Sequence, residues 1–478
     1  MDASVAQQGG CANCARLEKL LEAALARVGE LEQLVRDLQG QVRELKAKLD
    51  QNSSNSHQPP SSDPPWHKPP PRKPTGRKPG GQAGHQGHSR KRLPPQRVDR
   101  YVHHVPQVCQ YCHACLPREA GPQDPPPRWH QVAELPKIAA IITEHQSHAR
   151  TCLHCGRLTR AIIPWSVRRH VLGQRLASVM SYLAGRCHNG RRTVREIVLD
   201  LFGVPLSLGS VCRYEAQMSE ALAAAHEQAV RSVREAPVRH VDETGWNRAG
   251  KTCWLWIAAT KRLSCFVLHA ARNWPALCAL LGTDAGKGII CSDRWHAYSR
   301  IGLRRRQLCW AHLKRDFQKW SDKGGATRLL GEDGLELCGK VFGFWRDFRQ
   351  RTLTRRQLQR RLGPLRRRLK QVLEWNKACG QASAAKFCRN LLSVESALWT
   401  FCRVPGMEPT NNAAERALRP AVLWRKNCFG SYSDAGLRFT ERILTVTQSL
   451  RQQGASALPW LEQTLAAYRN ASPPPKLP

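Results

Sequence analysis

His240-Val-Asp-Glu-Thr-Gly245 and Gly288-Ile-Ile-Cys-Ser-Asp-Arg-Trp295 decide the fold, because each carries an aspartate in or just after an apolar strand-like run. Around them the hydrophobic period is that of strands, over Val238 to Asp242, Trp254 to Ala259, Ser264 to His269, Gly288 to Cys291 and Gln307 to Trp310. Arg248-Ala-Gly and Thr260-Lys-Arg-Leu are turn signals between the first three, which predicts an antiparallel meander. Asn273 to Leu281 reads as a helix leading into the fourth strand. Three antiparallel strands, a crossover helix and a further strand make a ribonuclease-H-like order, in which a carboxylate on the first strand lies beside one at the end of the fourth.

Period-two alternation sends Asp242 to the face opposite Val241 and Glu243, so only one acid of the Asp-Glu pair faces such a site. Asp293 ends its strand, a place where aspartates also serve as turn formers. A third acid, Glu415, lies in Pro409-Thr-Asn-Asn-Ala-Ala-Glu-Arg. Asn412 as N-cap with Glu415 three residues later also fits a capping box.

Outward from this core, 236–320 with 405–450, the chain divides by composition. Leu17, Leu21, Ala24, Val28, Leu31, Val35, Leu38, Val42, Leu45 and Leu49 alternate in steps of four and three, which predicts a coiled coil over 15–50. Valine at a with leucine at d favours a parallel dimer, while Leu20, Leu25 and Leu34 on the flanks leave a higher oligomer open. Residues 51–100 are rich in proline and glycine and read as an extended tether. Arg77, Lys78, Arg90, Lys91 and Arg92 suit that tether to tracking a DNA backbone. In 101–165, Cys109-x-x-Cys112 and Cys152-x-x-Cys155 form two hooks that would hold one structural zinc. Their 39-residue separation is long for such a site, and Cys115 is an alternative ligand. Helical patterns in 170–232, the last opening at Ser207, fit a helix-turn-helix reader with Arg213 and Tyr214 turned toward a groove, and fit ordinary helical packing as well. Residues 321–404 read as a helical insertion with Arg355, Arg356, Arg360, Arg361, Arg366, Arg367 and Arg368, a phosphate-binding wall or a solvated face. A C-terminal helix and tail fill 451–478. The fold class expected is multidomain α+β.

Lysine and arginine number 75 against 37 acids, a formal net charge of +38 in 478 residues. So large an excess calls for a polyanionic partner and argues against a neutral small molecule. Met1 to Gly10 has no basic region followed by an apolar run, and no stretch approaches a membrane span, so a cytoplasmic protein is expected. The odd count of 19 cysteines favours reduced thiols over disulfides.

Many ordered motifs together resemble one family. They are Asn52-Ser-Ser-Asn-Ser, Gly76-Arg-Lys-Pro-Gly-Gly-Gln, both cysteine hooks, Val241-Asp-Glu-Thr-Gly, Ser292-Asp-Arg-Trp-His-Ala-Tyr, Cys309-Trp-Ala-His-Leu-Lys-Arg-Asp-Phe, Thr410-Asn-Asn-Ala-Ala-Glu-Arg and Arg425-Lys-Asn. The chain resembles insertion-sequence-66 family transposases along nearly its whole length. It departs from the pattern at Cys115 and at Trp295-His296. The resemblance implies that Asp242, Asp293 and Glu415 are a catalytic triad holding two magnesium or manganese ions, with Asp242 bridging both. It implies cleavage of an element's end in double-stranded DNA and transfer of the freed 3′-hydroxyl to target DNA. It also implies two small helper proteins as partners and a nucleoid-associated place in a bacterial cytoplasm. His312 and Arg315, on or after the fifth strand, are candidates for the scissile phosphate or for packing. A metal-dependent nuclease without joining and a transposase-derived DNA-binding regulator are the alternative readings.

Overall fold

The heptad run is helical throughout. In the computed structural model, which describes residues 12–49, 86, 91–378 and 381–478, helix α1 covers Ala12–Leu49. Its heptad positions stay exposed, Leu31 at 48% and Leu38 at 49%. Most of the expected tether, including Arg77, Lys78 and Arg90, lies outside the described residues. Lys91 and Arg92 are described and exposed.

The chain falls into two compact units: Pro70–His145 with Ile197–Pro205, and Met1–Pro69 with Gln146–Glu196 and Leu206–Pro478. The smaller unit, over its described residues, is mainly extended. Leu93 and Gln131 exchange two hydrogen bonds, and the Arg92 guanidinium lies 5.9 Å over the Trp129 ring. A bridge between Val108 and Cys115 closes the first cysteine hook.

In the larger unit, β1 (Ala149–Thr151) and β2 (Leu158–Arg160) pair antiparallel around the second hook. Along the chain follow α2 (Trp165–Arg168), α3 (Gln174–Gly185), α4 (Arg191–Phe202), of which residues 191–196 belong to this unit, α5 (Leu208–Ala221) and α6 (Ala223–Glu235). Ser207 caps α5 as expected, accepting from the Ser210 N–H at 3.1 Å. Arg213 is exposed, but Tyr214 corrects the reading of an outward pair: it is buried, and its hydroxyl accepts from the Leu172 N–H at 2.8 Å.

The main sheet has the order β5-β4-β3-β6-β7, built from β3 (Val238–Arg248), β4 (Lys251–Ala259), β5 (Ser264–His269), β6 (Ile289–Ser292) and β7 (Arg306–Leu308). The first three form the expected antiparallel meander, and α7 (Trp274–Leu281) crosses over so that β6 joins the other side of β3 in parallel. Asn273 starts that helix by accepting from the Ala276 N–H. The first two strands are longer than expected because Ala249 and Gly250 both take positive φ (50° and 84°), and this tight turn lets the hairpin zip as far as Arg248 opposite Lys251. The last strand is shorter, since Trp310 opens a helix instead of ending a strand.

That helix, α8 (Trp310–Lys323), starts before the bounds expected for the insertion (321–404) and leads into α9 (Arg328–Arg349), α10 (Arg355–Lys377) and α11 (Ala382–Ser393). The four pack around Phe317, Leu337, Leu362, Leu373 and Leu391, in a core continuous with Cys291 of β6 and Leu308 of β7. Part of the arginine run is structural. Arg366 forks onto buried Glu395 at 2.9 and 3.2 Å, Arg355 donates to the Phe401 and Cys402 carbonyls, and Arg368 pairs with Asp333. Arg356, Arg360 and Arg367 remain exposed. The chain ends through α12 (Asn412–Cys428), α13 (Asp434–Gln452) and α14 (Ala457–Arg469). The architecture is α+β, helices around one mixed sheet, and among the described residues no helix is long and apolar enough to cross a membrane.

Helix α13 shields the free edge of β5. The Ser264, Phe266 and Leu268 N–H groups point away from β4 and donate to Ser449, Thr445 and Glu441 respectively. Four helical residues advance about 6 Å and two strand residues about 6.6 Å, so one stripe of acceptors stays in register with alternate strand donors. An edge that would otherwise template aggregation is thereby consumed. Burial pushes the Glu441 carboxyl up to about 7 from its ordinary 4.5. The folded state therefore binds the proton more tightly, and its contribution, complete below about 4.5, is lost as pH rises through 7. Glu441→Gln keeps the acceptor and removes the charge; it should raise stability at pH 8 by about 1–3 kcal/mol and change little at pH 5. Urea unfolding at the two pH values checks this, and an equal effect at both would contradict it.

Candidate active site

The parallel pairing of β3 with β6 sets the site. Val238, Arg239 and His240 stand opposite Ile289, Ile290 and Cys291, and carrying that register two residues on brings Asp293 level with Asp242. The alternation of β3 splits the Asp-Glu pair as expected. Glu243 faces the side covered by α7, where its carboxylate takes Arg272 Nε at 2.8 Å and the Tyr298 hydroxyl. Arg272 is itself held over the rings of Trp295 (4.0 Å) and Trp254 (4.8 Å). Asp242 is left to the other face.

Three acids share this end of the sheet. Burial holds the Asp242 carboxyl well above its ordinary range, and the charges of Glu243, Asp293 and Glu415 push it further. Asp293 is raised by burial too, opposed by the Trp295 N–H and by Arg272, Arg306 and Arg294 around it. A divalent cation relieves this kind of repulsion directly, and carboxylate oxygens are hard donors suited to magnesium or manganese.

Glu415 comes from the first turn of α12, and the capping-box reading of it is corrected. The N-cap is Asn411, not Asn412, and its side chain makes no cap hydrogen bond. It is fully buried and instead donates through Nδ2 to the Val241 carbonyl at 2.8 Å, while its backbone N–H reaches Cys309 Sγ at 3.1 Å. Asn411 thus bolts the start of α12 to the residue beside Asp242. Farther along the helix, Arg425 donates to the Thr244 hydroxyl at 3.0 Å and to the Gly245 carbonyl. With capping excluded, Glu415 Oε1 is buried without a hydrogen-bond partner.

His312 and Arg315 lie on α8, after the sheet. His312 Nδ1 is 3.8 Å from Glu415 Oε1, and burial, reinforced by Arg315 and Arg294, lowers the imidazole to about 3. A neutral ring at that distance is a packing contact and not an ion pair. Among the described residues, Cys309, His312 and Glu415 bring three possible ligand atoms within 4.8 Å of one another; Asp242 and Asp293 are not members of that cluster. Burial pushes the Cys309 thiol up to about 11, which keeps it protonated and unreactive.

The two cysteine hooks, one in each unit, adopt the same turn. Cys109 donates to the Ala114 carbonyl and accepts from the His113 N–H; Cys152 donates to the Arg157 carbonyl and accepts from the Gly156 N–H. The fifth residue of each turn is left-handed, His113 at φ 59° and Gly156 at φ 67°. The N–H groups of Cys112 and Tyr111 lower the Cys109 thiol, and those of Cys155 and His154 lower Cys152. Both shifts run toward the thiolate, the form that binds zinc.

Sequence reading missed Asn411, Arg272, Tyr298 and Arg306. Asn411 and Tyr298 did lie inside quoted motifs, but their roles depend on partners far along the chain. Asn411→Ala leaves the buried Val241 carbonyl without its side-chain donor and should cost about 1–3 kcal/mol. Thermal or urea unfolding measures it, and an unchanged transition would contradict the anchoring role.

An uncharacterized protein of Sinorhizobium fredii, y4qI, is 26% identical over 200 residues, a match covering 39% of this chain and 37% of that protein. The match thus spans little more than a third of that relative's length. A model described as a family of unknown function (DUF6444) matches residues 15–91. The model of the Transposase IS66 family matches residues 190–438, just over half of the chain and all three acids of the site. The chain belongs to the Transposase IS66 family.

Proposed function

We propose that this protein is a DNA transposase whose Asp242, Asp293 and Glu415 hold two magnesium or manganese ions in a ribonuclease-H-like core. The observation that carries the reading is the convergence of three acids on one sheet end, with Glu415 half-buried, its Oε1 without a hydrogen-bond partner and its helix fixed there by Asn411. When bound, the ions would activate the attacking oxygen and stabilise the leaving oxygen of a phosphodiester. The chain's own part is to aim the ligands and to neutralise the DNA. Asp242 and Asp293 are set by strand register, Glu415 by the bolted helix, and Arg272, Arg294 and Arg306 offset the local negative charge. The same site would cut the element's end and join its 3′-hydroxyl to target DNA.

The remaining parts fit that work. The exposed heptad stripe of α1 would pair with a second copy, and a dimer brings two element ends together by symmetry. The hooks at Cys109, Cys112, Cys152 and Cys155, with Cys115 as an alternative, would hold one structural zinc. Exposed Arg213, Lys91 and Arg92 would supply phosphate contacts, joined by Arg77, Lys78 and Arg90 of the tether and by Arg315, three residues from His312 on α8. Two helper proteins of the same element and a place at the bacterial nucleoid complete the proposal.

Mobilisation of a marked element with its natural flanks and neighbouring genes tests it. Asp242→Asn at matched expression should reduce movement by roughly 100-fold or more, the scale of losing a principal charge-stabilising group. Equal movement by both proteins would overturn the assigned site, and cleavage without joining would make the protein a nuclease. Zinc content should be one per chain in both proteins and fall with Cys152→Ser and Cys155→Ser; content unchanged by those substitutions would remove the zinc assignment.

A further inference from the structure

A cavity of about 490 Å³ opens between the catalytic sheet and α11, and nothing in the metal chemistry uses it. Arg294 and Trp295, the two residues that follow Asp293, form one wall; Arg306 of β7 forms another; Lys386, Phe387 and Asn390 of α11 face them. The volume is that of a small-molecule site, and its position is one residue from a catalytic acid.

Its lining carries three basic residues, Arg294, Arg306 and Lys386, and no acid. Arg306 is only 4% exposed, its Nε has no hydrogen-bond partner, and among the described residues no carboxylate lies within ion-pair distance of it. Its Nη2 reaches only the Asp293 carbonyl, at 3.3 Å. The charge of Asp293 nearby offsets part of the cost of burying this guanidinium, and an anion entering the cavity would offset more of it. Lys386 is exposed at the rim. The cavity also has a flat apolar surface: Phe387 is held by Phe317 and Trp320 at 5.8 and 5.6 Å between ring centres, with the Arg294 guanidinium 5.1 Å from its ring. The buried indole N–H of Trp295 has no acceptor, and Asn390 adds an exposed amide. Cations for a phosphate, an aromatic face and unpaired polar groups together are what a single nucleotide satisfies.

We propose that this cavity receives one unstacked nucleotide of the DNA strand being processed, with its phosphate toward Arg306 and Lys386 and its base against Phe387. The proposal rests on the reading of the site as DNA-processing. Removing one nucleotide from the stack next to the reacting phosphate would fix the strand's register over the acids, and Asn390 would touch the base edge.

The test uses the full-length protein without magnesium and two duplexes of one sequence, either fully paired or carrying one unpaired 2-aminopurine nucleotide. The intact protein should bind the second about tenfold tighter, the ratio of one base–aromatic stack, with a change in 2-aminopurine emission. Phe387→Ala, and Ser383→Trp at the exposed rim, should abolish the preference and leave affinity for the paired duplex unchanged. Equal affinity of the intact protein for both duplexes, or a preference that survives Ser383→Trp, would overturn the proposal. Binding of free deoxyadenosine monophosphate without any preference between duplexes would assign the cavity to a free nucleotide and overturn it as well. Failure to bind either duplex would overturn the DNA reading beneath it.

Discussion

Three residue pairs between the parallel strands β3 and β6 determine where the chemistry can be. Because the strands point the same way, their carboxyl ends open on the same side, and one register places Asp242 and Asp293 at one level. A slip of one residue would turn every side chain of β6 to the opposite face and carry Asp293 away from Asp242. The apolar residues around this pairing, Val241, Ile290, Trp256 and Leu277 among them, exclude the slip because it would expose them.

The third acid arrives by a different route. About a hundred residues of helical insertion separate β7 from α12, and no local rule says where the chain re-enters. Asn411 resolves this with one buried side chain, tying the first turn of α12 to the carbonyl before Asp242 while its N–H meets the sulfur of Cys309 at the start of α8. A chain of net charge +38 thus keeps one compact acidic centre, and the surrounding arginines let a polyanion approach it.

The strands, the crossover helix and the exclusion of Glu243 from the site were legible because period-two alternation and turn chemistry are local properties. The serine cap of α5 and the heptads of α1 were legible for the same reason. What escaped was long-range. Asn412 and Glu415 have the spacing of a capping box, but Asn411 begins the helix and spends its amide on β3. Tyr214 looked like a partner to Arg213 until its hydroxyl met the Leu172 backbone. The arginines of α10 read as one basic run, yet Arg366 serves the buried Glu395, a carboxylate that no local pattern links to it. The left-handed residue shared by the two cysteine hooks was legible only at Gly156, since a histidine occupies the same place in the other hook.

The central claim is that Asp242, Asp293 and Glu415 jointly hold the divalent ion. Iron-directed cleavage measures this most directly: ferrous ion is bound in place of magnesium, peroxide and ascorbate are added, and the cut positions along the chain are read by mass spectrometry. The account predicts cuts clustered around residues 242, 293 and 415 that magnesium suppresses and Asp242→Asn abolishes. Cuts confined to residues 309–312, unchanged by Asp242→Asn, would contradict it and assign the ion to the Cys309 and His312 side of Glu415.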